Sequence, residues 1–478
     1  MATGEDTSEP AQSGTPWRLF ALIGGSTLLL SLNYSLIFVA FGTINKTFSA
    51  QASVVSWALT GFSITSAALL VPAGWMSDRF GRERIFLCGL ALFTVGSAIV
   101  ASAPVVGVLI AGRVVQAMGL VLESSASLPI LLDAFPRSQR ATVVGGLGAT
   151  GGAAAAIGPA IGGALVDTIG WRATIALNVP AGIALCIVVL RRMPMQRSPR
   201  AAAGAEPAPP DLLGVAALAA GMGSLVLAIT KTSTWGVVDT RTLTAALAAV
   251  VAIAVVVMRS GRHPDPILFL PLFRDESYRR GVVLNVLVAG SFSGTFFAFI
   301  QLLTRGWGFS TLKAGIAIAI VPLFGGPLSF VAGRLVDRRG PRVVIVPGSL
   351  LIAAAGLIMA LTVSARPQLV QLWLPVGALY GIGVGFAHAA CHATALRYVP
   401  SERLGIGGAM SRIGMELGGA ISVAVAVALV SAADDPIAGV RTVTLLLSGV
   451  CTVGALLALR LRPNRSARVE TAHESATT

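Results

Sequence analysis

The stretch GWMSDRFGRER, residues 74–84, and the stretch GRLVDRRGPR, residues 333–342, share one pattern in two distant parts of the chain. In each, a glycine precedes an Asp-Arg pair by four residues, and a second glycine follows that pair after one further residue. Each stretch follows a long apolar segment, so the repetition predicts two related halves. The residues of the two repeated loops are Gly74, Asp78, Arg79, Gly81, Arg82, Gly333, Asp337, Arg338 and Gly340.

The composition predicts a membrane protein. Hydrophobic residues make up 55% of the chain and charged residues only 12%, whereas a soluble domain carries roughly a quarter charged residues. Apolar segments of about 20 residues can each cross a bilayer. They are expected to be helices, because backbone N–H and C=O groups in lipid must form their hydrogen bonds within the segment. The fourteen predicted spans are centred near Leu30, Ser66, Thr94, Gly119, Ala154, Gly182, Gly221, Ala249, Phe292, Val321, Ala354, Ile382, Gly418 and Gly449.

The net charge of +14 would suit a nucleic-acid partner, but its distribution indicates membrane orientation. Of the 35 Lys and Arg residues, 25 fall in the tails and in one set of alternate loops, and eight fall in the other set. This asymmetry predicts an even number of spans with both termini cytoplasmic. The polar residues 1–16 lack the basic region of a cleaved signal peptide, so we expect a solvated tail.

The spacing of the two repeated loops is too large for a six-helix repeat alone. We therefore predict an all-α polytopic membrane protein made of two six-helix bundles with two extra helices between them, an arrangement typical of alternating-access transporters. The predicted boundaries are a cytoplasmic tail at 1–16, a bundle at 17–192, a cytoplasmic linker at 193–211, the two extra helices at 212–258, a cytoplasmic linker at 259–281, a bundle at 282–461 and a cytoplasmic tail at 462–478.

Three further motifs, together with the repeated loop, point to a known family. RVVQAMG at 113–119 resembles a fourth-helix motif, IGPAIGG at 157–163 an exporter motif of the fifth helix, and WRATIALNVPAG at 171–182 a motif of the sixth. With the loop at 74–84, they make the chain resemble the major facilitator superfamily, in its fourteen-helix drug:proton antiporter branch. The residues of the exporter motif are Gly158, Pro159, Gly162 and Gly163.

The resemblance implies proton-coupled export of amphipathic or cationic compounds by alternating access, with the repeated glycine-aspartate-arginine loops as cytoplasmic gates. It implies no cofactor and no enzymatic activity; the expected partners are a small-molecule substrate, protons and membrane lipids, and the expected state is a monomer. Arginine outnumbers lysine 32 to 3, which favours a bacterial cell membrane. A dedicated exporter of one metabolite, lipid or antibiotic, and a non-transporting membrane sensor, remain alternatives.

The branch usually carries an aspartate in its first helix, but LNYSLIFVAFGTI at 32–44 has Asn33 at that place. If that aspartate belongs to the coupling machinery of the branch, this chain uses another acid or is coupled differently. Glu123 and Glu416 are predicted inside spans, where an ionisable group is costly and suggests function. Glu123 has no basic neighbour one turn away, and such a carboxyl takes up a proton readily. Glu416 follows Arg412 by one turn, so a structural ion pair is its alternative.

Arg113 and the histidines are the other intramembrane candidates. For Arg113 we expect a role in proton coupling or in the structure of the cavity. The alternative is a structural side chain that binds a backbone carbonyl or snorkels to the membrane surface. GFAHAACHATALRYV at 385–399 places His388 and His392 one turn apart. Two imidazoles are too few for a zinc site, so we expect no metal; a structural contact, or a substrate or proton role for His388, remains open.

Helical spacing also predicts a substrate cavity with aromatic walls. Stripes in the first and ninth spans combine rings with amides, a surface that suits amphipathic cations, although packing between helices would use the same residues. The predicted cavity residues are Asn33, Tyr34, Phe38, Gln116, Asn285, Phe292, Phe296, Gln301 and His388.

Overall fold

The computed structural model describes residues 15–136, 139–193, 211–263, 266, 268–396, 399 and 404–461. Its regular elements are helical throughout this part of the chain. The helices of the first to sixth spans are Thr15–Phe48, Trp57–Phe80, Arg82–Ser102, Val106–Ala134, Arg140–Ala176 and Asn178–Arg192. The later spans are Leu212–Trp235, Thr240–Ser260, Glu276–Leu284 continuing as Gly290–Gln301, Thr311–Ile318 continuing as Ile320–Arg339, Arg342–Thr362, Leu374–Leu396, Leu404–Ala432 and Pro436–Ala458.

Twelve of the described helices are long and apolar enough to cross a membrane, and a bent pair adds a thirteenth if it counts as one span. The bent pair covers the predicted fifth and sixth spans. Its two helices meet at Leu177 with a bend of 41°, and the first of them contains a non-helical residue at Gly170, where φ is 79° and ψ is 159°, a conformation that favours glycine. The break lies between the centres predicted near Ala154 and Gly182, so it separates the two predicted spans.

Some predicted boundaries differ from the observed ones. The ninth span begins at Glu276, inside the predicted linker 259–281, because Asp275 accepts a hydrogen bond from Tyr278 N and so caps a helix there. The linker also contains a short 3₁₀ helix at Leu270–Arg274. The predicted linker 193–211 and both predicted tails lie almost wholly outside the described residues.

Contacts between span ends divide the bundle into two sides. Trp17 packs on Phe135 near the beginning of the chain, with ring centroids 5.1 Å apart, and the carbonyl of Arg460 accepts from Arg280 near its end. Since the first span starts and the last span ends here, we call this the termini side. The opposite face, where the first span ends near Phe48, is the far side.

The two halves pack together on the far side, whereas toward the termini their cores are separate except where a cluster with the extra helices joins the second and thirteenth spans. The largest core cluster joins far-side residues of the first span, such as Phe41, to residues of the ninth and twelfth spans, such as Phe297 and Trp373. Toward the termini, one cluster around Phe86 belongs to the first six spans alone, and another around Tyr278 belongs to the last six with their preceding linker. The described conformation is therefore closed on the far side.

The two extra helices form a hairpin. A side chain at Gly221 would contact Ala252 of the partner helix, so glycine allows a close approach. At the termini side, the buried Asp211 accepts from Gly214 N at 2.8 Å and from Arg259 Nε at 2.7 Å. The carboxylate thus caps the first helix of the hairpin and holds the end of the second.

The repeated glycine-aspartate-arginine loops make tight turns at their second glycines. Gly81 has φ 98° and Gly340 has φ 90°. Each ends a helix in a backbone conformation that residues with a side chain rarely adopt. The side chain of Arg82, one residue later, forms an ion pair with Asp133 at the end of the fourth span. The side chains of Asp78 and Asp337 lie outside the described residues, so their predicted gating contacts stay predictions.

Candidate substrate and proton-coupling site

Glu123 is sealed inside the first bundle, with 1% of its surface exposed. The hydroxyls of Ser26 and Thr27 in the first span donate to its Oε1 at 2.8 and 3.1 Å. Gly89 of the third span permits this burial, because a side chain there would collide with the Glu123 backbone. Neither of these hydrogen bonds to Glu123 was predicted from the sequence. The carboxyl group therefore lies between neutral donors, where it can exist with or without its proton.

Arg113 is completely buried, so it does not snorkel. Its Nε donates to the carbonyl of Ala58 at 3.0 Å, and its Nη1 donates to Gln116 Oε1 at 2.8 Å. The guanidinium also lies 4.2 Å from the ring centroid of Phe62. Gln116 in turn donates to Ser97 Oγ at 2.8 Å. The arginine thus ties the fourth span to the second and, through Gln116, to the third.

Glu416 lies where the two halves meet, unlike Glu123. Ser63 of the second span lies beside its carboxylate, and Tyr34 of the first span is within its electrostatic reach. Among the described residues, no direct ion pair joins Glu416 to Arg412, so the expected intrahelical pair is not formed. The Arg412 charge instead interacts with both Glu416 and Glu123 from a greater distance.

Asn33, which replaces the expected aspartate, faces the sixth span. It is 2% exposed, and its Oδ1 accepts from Asn178 Nδ2 at 2.9 Å. Asn178 is the asparagine of the WRATIALNVPAG motif, a signal available in the sequence but not used to pair the two residues. Both members are amides, so this contact needs no charge and no proton.

The ninth span is not a regular α-helix. Its Asn285–Ala289 segment is a π-helix, and another occupies Leu302–Gly306. Each π turn inserts an extra residue, so the α-helical spacing used to align Asn285 with the aromatic residues does not hold. Asn285 donates to Ser411 Oγ at 2.7 Å and is completely buried against the thirteenth span. Gln301 is 1% exposed, and its amide has no hydrogen-bond partner among the residues that the structure describes.

The two histidines contact different spans. The His388 ring lies 6.1 Å from that of Phe292 in an edge-on arrangement, whereas His392 Nδ1 lies 3.2 Å from Ser411 Oγ in the thirteenth span. Both are thus protein-facing in the twelfth span. In the part of the chain that is described, no cluster of three or more His, Cys, Asp or Glu residues is arranged to hold a metal.

A continuous line of aromatic rings crosses from one half to the other. Tyr34 and Phe38 of the first span lie 5.3 Å apart, and Phe38 meets Phe296 of the ninth span at 5.6 Å. Phe296 then meets Phe292, which stacks on Tyr380 of the twelfth span at 6.4 Å. The predicted aromatic residues are therefore brought together between the halves.

The GPAIGG motif lies where three spans meet. Gly158 and Gly162 face Ser35 and Leu36 of the first span. The carbonyl of Pro159 approaches Gly315 of the tenth span so closely that Gly315 has no room for a side chain. Small residues here let helices of opposite halves touch through their backbones.

One turn beyond this motif, Asp167 reaches across to the second half. Its carboxylate accepts from Thr311 N at 3.2 Å and from Leu312 N at 2.6 Å, the first two residues of the tenth span. Nearby, with the Asn45 amide oriented to satisfy its neighbours, Asn45 accepts from Arg305 at 2.6 Å. Both contacts hold the far side closed. Asp167 was not among the functional residues predicted from the sequence.

Two helical bundles with a polar and aromatic region between them define a membrane transporter of the two-bundle type. The chain belongs to the Major Facilitator Superfamily, whose sequence model matches residues 23–279 and 281–477. The Tetracenomycin C resistance and export protein of Streptomyces glaucescens is 31% identical over 86% of this chain and 75% of its own length. The Methylenomycin A resistance protein of Streptomyces coelicolor is 27% identical over 93% of this chain and 92% of its own length.

Solved structures support the fold. The xylose transporter XylE of E. coli, in a partially occluded inward open conformation, superposes with a TM-score of 0.63 at 15% identity, covering 94% of this chain and all of the other. The POT family transporter PepTSo gives a TM-score of 0.63 at 14% identity, covering 92% of this chain and 97% of the other.

Proposed function

We propose that the chain exports amphipathic or cationic drug-like compounds by alternating access, in exchange for protons. The aromatic line between the halves, from Tyr34 to Tyr380, carries this proposal because its rings offer apolar surface and π faces to a lipophilic cation. The names of the antibiotic-resistance relatives support an exporter of this kind.

Glu123 is the proton carrier in this proposal. Proton exchange needs a buried acid that can exist both charged and neutral, and that opens to one side of the membrane at a time. Glu123 is surrounded by hydroxyl donors and lies on the half-bundle that also holds Arg113. Asn33 and its amide partner cannot take this role, since neither side chain titrates.

The termini side is cytoplasmic and the membrane is the bacterial plasma membrane in the same proposal. The excess of arginine in loops of the termini side supports this orientation. A far-side-closed conformation is then inward-facing, ready to receive substrate from the cell, and the protein works as a monomer. Gly74 and Gly333 belong to loops that close the termini side in the opposite state.

The test is transport of ethidium, a lipophilic cation, into proteoliposomes under an imposed pH gradient. Wild type should transport it only with the gradient, and Glu123→Gln should lose that dependence while still binding ethidium. Glu416→Gln is the matched control, since it removes the other buried acid. Equal gradient-driven transport by wild type and Glu123→Gln would move coupling to Glu416 or His388.

A dedicated exporter of one metabolite, lipid or antibiotic is the second candidate. The two relatives named above favour it, because each carries the name of a single antibiotic. Competition by unrelated lipophilic cations for ethidium transport separates the two: a broad exporter is inhibited by many of them, a dedicated one by few or none.

A further inference from the structure

A small pocket lies at the base of the extra hairpin, on the termini side of the protein. Its volume is about 240 Å³, and it lies between the beginning of the first helix of the hairpin and the end of the second. The residues that line it are Leu213, Val255, Met258, Arg259, Arg262 and His263. None of these residues belongs to the aromatic line or binds Glu123, so the pocket is separate from the proposed transport site.

Hydrogen bonds hold the basic side of this pocket in place. Arg259 Nε donates to the buried Asp211 at 2.7 Å, and within the described part of the chain neither Nη group of Arg259 makes a hydrogen bond. The backbone N–H groups of Arg262 and His263 both donate to the carbonyl of Arg259, each at 2.9 Å. The chain therefore turns tightly beyond the helix, keeps the two arginines together, and satisfies the carbonyl that would otherwise repel an anion.

The opposite side of the pocket is apolar and faces the bilayer. Leu213 is 56% exposed and Met258 is 54% exposed, although both lie in helices that are long and apolar enough to cross a membrane. Val251, two turns further into the membrane on the same helix as Met258, is 65% exposed. A charged wall at the membrane surface thus continues into an apolar wall in the bilayer, and a phospholipid has the same two parts.

The charges of the pocket favour an anionic ligand. Asp211 balances Arg259, whereas no ion pair among the described residues balances Arg262. Guanidinium groups bind phosphate oxygens through two parallel hydrogen bonds, and the unused Nη groups of Arg259 are donors of this kind. Leu213 lies in the first turn of its helix, an end that attracts anions. Basic pockets of transmembrane helices near the membrane surface suit anionic headgroups.

We propose that this pocket binds the phosphodiester headgroup of an anionic phospholipid from the leaflet on the termini side, with the acyl chains lying along Met258 and Val251. Asp211 positions Arg259 for the phosphate, and Arg262 supplies the unbalanced positive charge. A zwitterionic phospholipid should bind more weakly, because its own cationic group is repelled by Arg262. Free phosphate lacks the acyl chains that contact the apolar wall. The inference does not depend on which compound the protein exports.

The first experiment measures the dissociation constant of phosphatidylglycerol for the whole chain by native mass spectrometry in detergent. Arg262→Ala leaves the bond between Arg259 and Asp211 intact and should raise this constant about fivefold, since one arginine near an anionic lipid contributes roughly that factor. Arg192→Ala is the matched control, because Arg192 is exposed at the end of the sixth span and does not line the pocket; it should leave the constant nearly unchanged. Equal constants for wild type and Arg262→Ala, or an equal rise in Arg192→Ala, would overturn the proposal.

The same measurement separates the possible sources of the phosphate. Phosphatidylcholine should bind wild type more weakly than phosphatidylglycerol, and inorganic phosphate should not displace the bound lipid. Equal binding of the two lipids would overturn the preference for an anionic headgroup, and displacement by inorganic phosphate would show a site for free phosphate instead.

The second experiment locates the lipid in a bilayer. Val251→Trp adds a tryptophan to the apolar wall without changing a residue that lines the pocket, and Val453→Trp adds one at a position of the last span that is 50% exposed. In phosphatidylcholine bilayers with a small fraction of phosphatidylglycerol brominated on its acyl chains, the fluorescence added by Val251→Trp should be quenched more than that added by Val453→Trp. Arg262→Ala should remove the difference. Equal quenching at the two positions, or a difference that persists in Arg262→Ala, would contradict a bound anionic lipid at this pocket.

Discussion

Asp167→Ala should open the far side. In the described conformation Asp167 accepts from two backbone N–H groups at the start of the tenth span, Thr311 N and Leu312 N, and this contact joins the two halves. It must break when the far side opens. Removing it therefore destabilises the far-side-closed state without changing contacts inside either half.

The expected change in the free-energy difference between the closed and open states follows from the geometry of this contact. A carboxylate at a helix N-terminus contributes about 0.5–2 kcal/mol through capping and about 0.3–1 kcal/mol through the helix dipole when exposed. Asp167 is exposed and Ser310 already caps Lys313 N, so we take a total of about 1 kcal/mol. That amount shifts the equilibrium between closed and open states about fivefold. Asp167→Asn keeps an acceptor and should give less than half of this free-energy change.

The assay is the distance between spin labels on the far-side loops of the two halves, at Val105→Cys and Ala365→Cys, after Cys88 and Cys186 are changed to serine. Asp167→Ala should raise the population of the longer distance about fivefold. Thr168→Ala is the control, because its hydroxyl bonds only within its own helix, to Ala164 and Leu165. A distance distribution in Asp167→Ala that matches this control would refute the assignment of Asp167 as a far-side closing contact.

Two further substitutions follow from the same structure. Gly315→Val places a side chain against the Pro159 backbone, so the same pair of labels should show a larger open population than in Gly315→Ala; an unchanged distribution would show that the backbone contact is dispensable. Arg259→Ala leaves the buried Asp211 with only its helix-capping bond and should lower stability by about 1–3 kcal/mol, seen as a lower unfolding midpoint in detergent. Arg262→Ala, which removes an exposed side chain, is its control. Equal unfolding midpoints for the two variants would show that the bond between Arg259 and Asp211 does not contribute to stability.

Elements that depend on local composition could be predicted from the sequence. Apolar length indicated the positions of the spans, and the centres expected near Ala154 and Gly182 lie on either side of the non-helical residue Gly170. The tight turn at Gly81 was also expected, and a backbone carbonyl partner was one of the alternatives for Arg113, although the carbonyl of Ala58 was not identified. The spans and the turn depend on the local sequence alone. The type of partner of Arg113 was foreseeable because a buried guanidinium needs hydrogen-bond acceptors.

Contacts between distant spans could not be predicted. Helical spacing shows which residues share a face, but not which other helix that face meets, so Ser26 and Thr27 were not connected with Glu123, nearly a hundred residues away. The π turn at Asn285–Ala289 also has no clear local signal, and it changes the register of every residue beyond it. Asp167 was not singled out from the sequence, because its partners are backbone groups of the other half.

The first span connects the proposed proton carrier to the interface between the halves. Ser26 and Thr27 bind Glu123 toward the termini side, and Tyr34 and Phe38, two and three turns further along the same helix, meet the second half. Protonation of Glu123 changes the hydrogen bonds available to these hydroxyls, so it alters the contact between the first and fourth spans. Because the first span is one continuous helix from Thr15 to Phe48, a small shift at Ser26 moves the aromatic contact at Phe38. In the proposed exchange, coupling then needs no acid at Asn33, since the first span would transmit the change even though the proposed acid lies on the fourth.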